Sequence, residues 1–184
     1  MLNTKAALDK FGKGVVKQSR SNLTRKDKNV DRKLYNSIKY QLEVGPNSFS
    51  IEIDMEDYGK FQDEGVKGVD PSKVSPNAKI KGQQAPNSRF SFKQKRPPIK
   101  PLQNWIKKRG IRFRDAKGRF KKGSTKSLAY VISSNIYYRG IKPSRFFTRA
   151  FETQFEKLPD EVVKAFNLDM DDLIKFSTNE SSTK

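Results

Sequence analysis

The chain of 184 residues has a net charge of +19, and 34% of its residues are hydrophobic while 32% are charged, so it is expected to form about one domain with a modest core. It contains neither cysteine nor histidine, which excludes disulfide bonds, thiolate chemistry and a histidine acting as general base or zinc ligand. No apolar run approaches the roughly 18 residues of a membrane-spanning helix.

The positive charge is concentrated in the middle of the chain. Residues 1–66 contain 12 basic and 10 acidic side chains, and residues 150–184 contain 4 basic and 8 acidic ones. Residues 67–149 contain 23 basic side chains and only 2 acidic ones. Such a basic block predicts binding to a polyanion or to an acidic protein surface.

The N-terminal part is predicted to form a helix and then a β-hairpin. Apolar residues recur at helical spacing within residues 2–22, with lysines on the opposite face. A charged linker over residues 24–31 follows. Over residues 34–53 apolar and polar residues alternate on both sides of a Gly-Pro-Asn-Ser turn at 45–48. This alternation predicts two antiparallel strands with one buried face.

A short helix is predicted within residues 57–68, with Tyr58 and Phe61 on one side and glycines at its end. Asp63 and Glu64 are adjacent carboxylates in this segment. Because no third metal ligand accompanies them, we interpret them as ion-pair or capping partners of nearby basic residues.

Residues 66–96 and 111–123 are predicted to be two long basic loops. The first is rich in Pro, Gly, Ser, Asn and Gln and has almost no periodicity, which is typical of functional or disordered segments. Near its end, cations alternate with aromatic rings, as in surfaces that stack single-stranded nucleic acid; these residues are Arg89, Phe90, Phe92, Lys93, Lys95 and Arg96. We expect these rings to pack in the core and leave the role of the cations open. The second loop contains a predicted hairpin turn at 115–118.

Between the loops, Pro98 begins a predicted helix that Gly110 ends. Its apolar residues, including the single tryptophan Trp105, form one stripe at helical spacing. We expect Trp105 to dock in the core. The cations of the last turn occupy the other side and complement the helix dipole.

Three further helices are predicted towards the C-terminus. The first covers residues 124–139, and the second starts near Pro143 and is rich in phenylalanine. The third begins at Pro159, with acidic residues in its first turn. We predict that residues 1–176 form a single α+β domain and that residues 177–184 are disordered.

Four short motifs follow one another along the chain. A tyrosine-containing segment at 58–65 ends in a glycine turn, and the pattern P-x-x-x-L-x-x-W-I begins at Pro98. A helix at 128–141 ends in R-G-I, and the pattern F-F-x-x-A-F occupies 146–151. In this order the motifs resemble the tail-completion and minor tail proteins of long-tailed bacteriophages, the neck family that joins head to tail. The resemblance spans residues 30–157.

The resemblance implies an α+β fold: a curved antiparallel β-sheet with a long N-terminal helix packed on it, long basic loops and C-terminal helices. It implies a virion structural protein, a ring-forming subunit at the head–tail junction that lines or surrounds the DNA channel. The implied partners are further copies of the chain, other neck, portal-adaptor and tail proteins, and genomic DNA, with no membrane anchor. We expect the protein in the virion, and in the host cytoplasm during assembly.

The candidate DNA-facing or interface residues are the cations of the two loops and of the intervening helix. They are Lys79, Lys81, Arg89, Lys93, Lys95, Arg96, Lys107, Lys108, Arg109, Arg112, Arg114, Arg119, Lys121 and Lys122. The residues predicted to pack in the core are Trp105, Phe147 and Phe151.

Two alternatives remain open from the residues alone. One is another sequence-nonspecific DNA-binding protein, such as a packaging factor or a nuclease. A nuclease needs clustered carboxylates for metal ions, and the basic block supplies only Asp70 and Asp115, so we predict no catalysis and no cofactor. The other alternative is an assembly protein whose lysines contact acidic partner proteins and never touch DNA.

Overall fold

The computed structural model describes residues 2–28, 30–45, 48–76, 78–114, 117–120 and 122–181, with side chains described up to residue 175. The predicted α+β class is confirmed, because the described residues form seven helices and two small antiparallel sheets of two strands each.

The contacts within the chain define two compact units. Unit 1 comprises residues 1–56 and 146–184, and unit 2 comprises residues 57–145. The sequence predicts a single domain over residues 1–176, and the contacts divide these residues between the two units.

Unit 1 is built on a long N-terminal helix, α1 (Leu2–Arg25), which is three residues longer than predicted. Its buried residues include Phe11, Val15 and Leu23, which lie on one face because they are separated by multiples of four residues. The helix ends where Asp27 adopts a left-handed conformation with φ of 54°. The start of the predicted linker is therefore helical.

The predicted hairpin is confirmed in unit 1. A short helix α2 (Lys33–Ser37) precedes strand β1 (Lys39–Val44), which pairs antiparallel with strand β2 (Phe49–Asp54). Tyr40 lies opposite Ile53, so the alternating apolar residues share one half-buried face. The central residues of the predicted turn, 46 and 47, lie outside the described residues.

The hairpin packs against α1 at a point of close approach. A side chain on Gly12 would overlap the ring of Tyr40, so glycine is required where the helix crosses the strand. The Tyr40 hydroxyl donates a hydrogen bond of 2.7 Å to Asp9 of α1. The Arg20 guanidinium donates one of 2.9 Å to the carbonyl of Ile38, which fixes the start of β1.

Two C-terminal helices complete unit 1, α6 (Thr148–Phe155) and α7 (Leu158–Ser181). The core contains Leu23, Leu34, Ile38 and Phe146, and Phe147 packs against it. The Phe151 ring contacts the rings of Phe11, Phe147 and Phe155. Phe147 and Phe151 therefore pack as expected, although the fully buried ring is that of Phe146.

Helix α7 continues through residue 181, five residues into the segment predicted to be disordered, and residues 182–184 lie outside the described part of the chain. Its Asp169 binds the start of α1. The carboxylate accepts hydrogen bonds from the hydroxyl and backbone N–H of Thr4, at 2.7 and 2.9 Å, and from the backbone N–H of Asn3, at 3.0 Å. It thus satisfies N–H groups that the first turn of a helix leaves without a helical partner.

Unit 2 has three helices, α3 (Tyr58–Glu64), α4 (Ile99–Arg109) and α5 (Thr125–Arg139). The second sheet pairs β3 (Val66–Lys67) with β4 (Gly140–Ile141). The three predicted helices are therefore present, and the predicted loop between α3 and α4 begins with a short strand.

The segment predicted as the first basic loop is held by backbone hydrogen bonds along the C-terminal end of α5. The N–H groups of Val69, Asp70 and Gln84 donate to carbonyls at the end of that helix, at 2.8 to 3.2 Å. The N–H of Phe92 donates to the carbonyl of Lys67 at 3.0 Å. The segment thus lacks regular secondary structure over most of its length but is tied to the rest of unit 2.

The expectation that Trp105 is a core residue is wrong. Trp105 is 36% exposed, whereas its neighbour Ile106 is 2% exposed and is the residue that α4 buries. The buried residues of α5 are small: Ala129 and Ser133, whose hydroxyl donates a hydrogen bond of 2.6 Å to the carbonyl of Pro97. Ile106, and not the larger Trp105, therefore supplies the buried side chain of α4.

The Asp169 contact makes the stability of unit 1 dependent on pH. Burial raises the pKa of the Asp169 carboxyl, but the hydrogen bonds from Thr4 and Asn3 outweigh burial and hold the pKa well below its ordinary value. A group with a lowered folded-state pKa stabilises the protein above its unfolded pKa of about 3.9 and loses that effect as the pH falls below it.

We therefore expect Asp169→Asn to lower the free energy of unfolding at neutral pH and to differ less from the wild type at pH values well below 4. The measurement is urea unfolding followed by circular dichroism at several pH values. Asp171→Asn, at an exposed position of α7, is the matched control and should leave the stability unchanged. An Asp169→Asn deficit that stays constant across this pH range would contradict the assignment.

Candidate nucleic-acid interface

The two units differ sharply in charge. Unit 2 contains 23 basic and 5 acidic residues, a net charge of +18. Unit 1 contains 16 basic and 15 acidic residues, a net charge of +1. Folding therefore places nearly all of the excess positive charge on one compact unit, where it produces a strong local field.

Several of the predicted interface cations are used to hold unit 2 together. Arg96 is surrounded by three tyrosine rings of α5, those of Tyr130, Tyr137 and Tyr138, whose centroids lie 5.6 to 5.7 Å from its guanidinium carbon. It also donates hydrogen bonds to the hydroxyls of Tyr130, Ser134 and Tyr138, at 3.0 to 3.3 Å. These contacts raise the pKa of Arg96, chiefly through the Tyr130 hydroxyl.

Arg89 is similarly engaged at the end of the first basic loop. It forms an ion pair with Glu64, and its guanidinium carbon lies 4.8 Å from the centroid of the Phe90 ring. Phe90 in turn packs edge-on against Phe61 of α3, with ring centroids 4.6 Å apart. The interpretation of Glu64 as an ion-pair partner is confirmed. The rings of Phe90 and Phe92 contact other rings of unit 2 but are only half-buried, so the expectation that they pack in the core is not met.

Arg139 was not singled out from the sequence, yet it fastens the first basic loop to α5. It is half-buried and donates a hydrogen bond of 3.1 Å to the carbonyl of Ile80. Burial lowers the pKa of its guanidinium. No sequence pattern marks this role, since an arginine in the last turn of a helix is common for dipole reasons alone.

The second basic loop presents an exposed aromatic ring between two arginines. Phe120 is 62% exposed, and the guanidinium carbons of Arg112 and Arg114 lie 5.7 and 4.3 Å from its centroid. Arg114 pairs across the loop with Phe120 and donates a hydrogen bond to the carbonyl of Gly118, as the predicted hairpin requires. Residues 115, 116 and 121, which include the candidate Lys121, lie outside the described residues.

A groove with a volume of about 610 Å³ lies beside this ring. Its walls include Phe113, Phe120, Arg112 and Lys122, and its floor is the start of α5. An aromatic face flanked by guanidinium and ammonium groups can stack a base and neutralise a phosphate at the same time. Such a surface does not select a base sequence.

The candidate lysines are exposed, as are most of the candidate arginines. The two groups differ because Arg89, Arg96, Arg112 and Arg114 lie against aromatic rings of unit 2. These lysines are Lys79, Lys81, Lys93, Lys95, Lys107, Lys108 and Lys122. None takes part in the ion pairs found among the described residues. Of the remaining candidates, Arg109 is half-buried at the end of α4, and Arg119 is exposed in the second basic loop. The exposed lysines are therefore the side chains best placed to meet an external polyanion.

The carboxylates of unit 2 do not converge. Within the described part of the chain, no group of three or more acidic side chains is arranged to hold a metal ion. Asp63 is buried, and Asp70 accepts hydrogen bonds from the N–H and hydroxyl of Ser72, which contribute to lowering its pKa. Asp115, the remaining acidic residue of the basic block, lies outside the described residues.

Comparisons with protein-family models, with curated proteins and with solved structures find no match to this chain. Among the described residues, no helix is long and apolar enough to span a membrane.

The environment of Arg96 predicts a structural rather than a ligand-binding role. We expect Arg96→Gln to lower the thermal midpoint, because the three tyrosines then lose a shared cation and hydrogen-bond donor. Lys95→Gln, which removes one charge from the adjacent exposed position, is the matched control and should not change the midpoint. A thermal midpoint of Arg96→Gln equal to that of the control would contradict the role.

Proposed function

We propose that the protein is a virion structural protein, a subunit of a ring at the head–tail junction of a tailed bacteriophage that surrounds the passage for DNA. The observation that carries this proposal is the segregation of charge, with +18 on unit 2 and +1 on unit 1. A ring that repeats such a unit around an axis would multiply the field experienced by DNA within it. The order of the motifs supports the neck family in particular.

The exposed lysines suit DNA that moves past the protein. They are distributed over the first basic loop, the end of α4 and the second basic loop, so the cations do not form one helical reading face. Contacts of this kind neutralise phosphates without reading base edges. Because lysine is a flexible point charge, its contacts adapt to successive phosphates along the duplex.

We propose no enzymatic activity and no cofactor for the chain. The reasons are the lack of histidine and cysteine and the dispersed carboxylates of unit 2. A hydrolytic step on a phosphodiester needs either a general base or clustered metal ligands, and the described residues offer neither in a convergent arrangement.

A second candidate function is a sequence-nonspecific DNA-binding or packaging protein that acts outside the neck. The exposed Phe120 ring between Arg112 and Arg114 favours it, because an aromatic ring flanked by cations can stack the bases of single-stranded DNA. In a third possible role the lysines bind acidic proteins and never DNA. A protein that does not bind DNA would therefore fit this role and neither of the two candidates above.

The DNA-binding part of the proposal predicts a steep dependence on salt. Changing Lys93, Lys95, Lys107 and Lys108 to Gln should weaken binding to a labelled duplex. It should also reduce the slope of log affinity against log salt concentration by about 0.9 for each phosphate that the variant no longer neutralises. Fluorescence anisotropy titrations over a range of KCl concentrations measure both quantities.

The matched control changes four exposed lysines of unit 1, Lys5, Lys33, Lys39 and Lys157, to Gln. This control lowers the net charge by the same amount as the unit 2 variant. It should leave most of the slope of log affinity against log salt concentration unchanged. An equal reduction of slope in both variants, or a preference for one duplex sequence over another of the same length, would contradict the assignment of phosphate contacts to unit 2. Tighter binding to single-stranded than to duplex DNA would favour the second candidate.

The neck position predicts where the protein is found in phage particles. We expect antibodies against the chain to label purified particles at the junction between head and tail, as seen by electron microscopy. Particles whose proteins include the chain but whose label lies along the tail or on the head surface would contradict the neck position and leave the DNA-binding result unaffected.

A further inference from the structure

Helix α7 carries an apolar stripe that unit 1 leaves in solvent. Val163, Phe166, Met170 and Leu173 are separated by three, four and three residues, the spacing that places side chains along one side of a helix. Phe166 is 42% exposed and Leu173 is 60% exposed. The side of α7 that packs on α1 is a different one, marked by the buried Ala165 and Asp169.

A groove with a volume of about 710 Å³ lies in the same unit, between α1 and the hairpin. Its apolar part is formed by Val16, Tyr35 and Tyr40. The remaining lining residues are polar or basic: Lys13, Lys17, Arg20, Ser21, Thr24 and Arg25. Four of the nine lining residues are cations and none is acidic. Lys13 forms an ion pair with Asp9 of α1, so Lys17, Arg20 and Arg25 supply the positive charge, and the groove suits an apolar ligand with negative charge.

The stripe and the groove match in length and in charge. The stripe spans ten residue steps from Val163 to Leu173, about 15 Å, and the groove follows α1 for twelve steps from Lys13 to Arg25, about 18 Å. Residues 158–175 of α7 contain 5 acidic and 2 basic side chains, and these acids are absent from the apolar stripe itself. An amphipathic helix with an apolar face and acidic flanks is the kind of ligand that such a groove accepts.

We propose that the α7 stripe of one copy of the chain docks in the α1–hairpin groove of a second copy. Both surfaces belong to unit 1, and the stripe is exposed there, so a copy's own α7 does not bury its stripe in its own groove. Pairing of α7 with α7 of another copy would instead bring two acidic helices together, which like-charge repulsion disfavours.

The contact is heterologous, because two different surfaces meet. Each copy has one stripe and one groove, so a pair joined by one contact still has one free stripe and one free groove. Further copies can therefore add until the contacts close in a ring. That the contacts close into a ring rests on the proposed function. The interface itself is independent of DNA binding, because unit 1 carries both of its surfaces.

The test begins with one variant of each surface. The stripe variant is Phe166→Ser/Leu173→Ser, and its control is Leu168→Ser, which removes an exposed leucine from another side of α7. The groove variant is Lys17→Glu/Ser21→Glu. Its control is Lys39→Glu/Gln41→Glu, with the same change in charge at exposed positions on the face of β1 opposite Tyr40. Circular dichroism establishes that all four variants fold.

Light scattering after size exclusion then gives the mass of each protein. We expect the wild type and both controls to form the same assembly, and each of the two surface variants to be monomeric. An equimolar mixture of the stripe and groove variants should give a dimer and nothing larger, because each contributes one intact surface to a single contact. This complementation is the result that a heterologous contact predicts and that general destabilisation does not.

Assembly of the groove variant alone would overturn the inference, as would assembly of the stripe variant alone or failure of the mixture to dimerise. A wild type that is monomeric at every concentration would also overturn it. The monomeric stripe variant should bind DNA with the same dependence on salt as the wild type. The groove variant should do so as well, apart from the effect of its lower net charge, which its charge-matched control shares. Loss of self-docking and loss of the proposed DNA binding can therefore be told apart.

Discussion

Unit 2 has to fold while carrying a net charge of +18, and this constraint determines how its side chains are used. Among its described residues the buried hydrophobic side chains are few and mostly small: Val66, Val74, Ala85, Ile106 and Ala129. Arginines supply much of the remaining cohesion, since Arg96 contacts three tyrosines and Arg139 holds the first basic loop to α5. The planar guanidinium suits this task because it stacks on rings and donates several hydrogen bonds at fixed angles.

The lysines of unit 2 take the complementary role. Lys93, Lys95, Lys107 and Lys108 are exposed, and an ammonium group on a flexible stem remains hydrated there at little cost. The same unit therefore separates cations that maintain the fold from cations that can meet a polyanion. Unit 1 is nearly neutral and has the larger apolar core, around Phe146, so its remaining exposed apolar stripe and basic groove are available for contacts between copies.

Local patterns predicted most of the secondary structure correctly because the information they need is local. Alternation identified the two strands correctly, but the start of the alternating segment, residues 34–37, belongs to helix α2 and not to a strand. The Pro98 and Gly110 signals bound α4 to within a residue. The basic block at residues 67–149 could also be predicted, because it is a property of consecutive residues. Periodicity could not decide which member of the apolar stripe of α4 is buried. In the structure it is Ile106 and not Trp105, because burial depends on elements that folding brings from elsewhere in the chain.

The sequence by itself determined the α+β class, six of the seven helices found among the described residues, the hairpin, and the concentration of positive charge between residues 67 and 149. Only the tertiary structure decided which cations contact other groups of unit 2 and so help to maintain its fold. Arg96 meets Tyr130 and Tyr138 across separations of 34 and 42 residues, and such contacts leave no local pattern. Hydrophobic and charge periodicities describe neighbours along the chain, whereas the use of a side chain depends on partners that folding brings from distant positions.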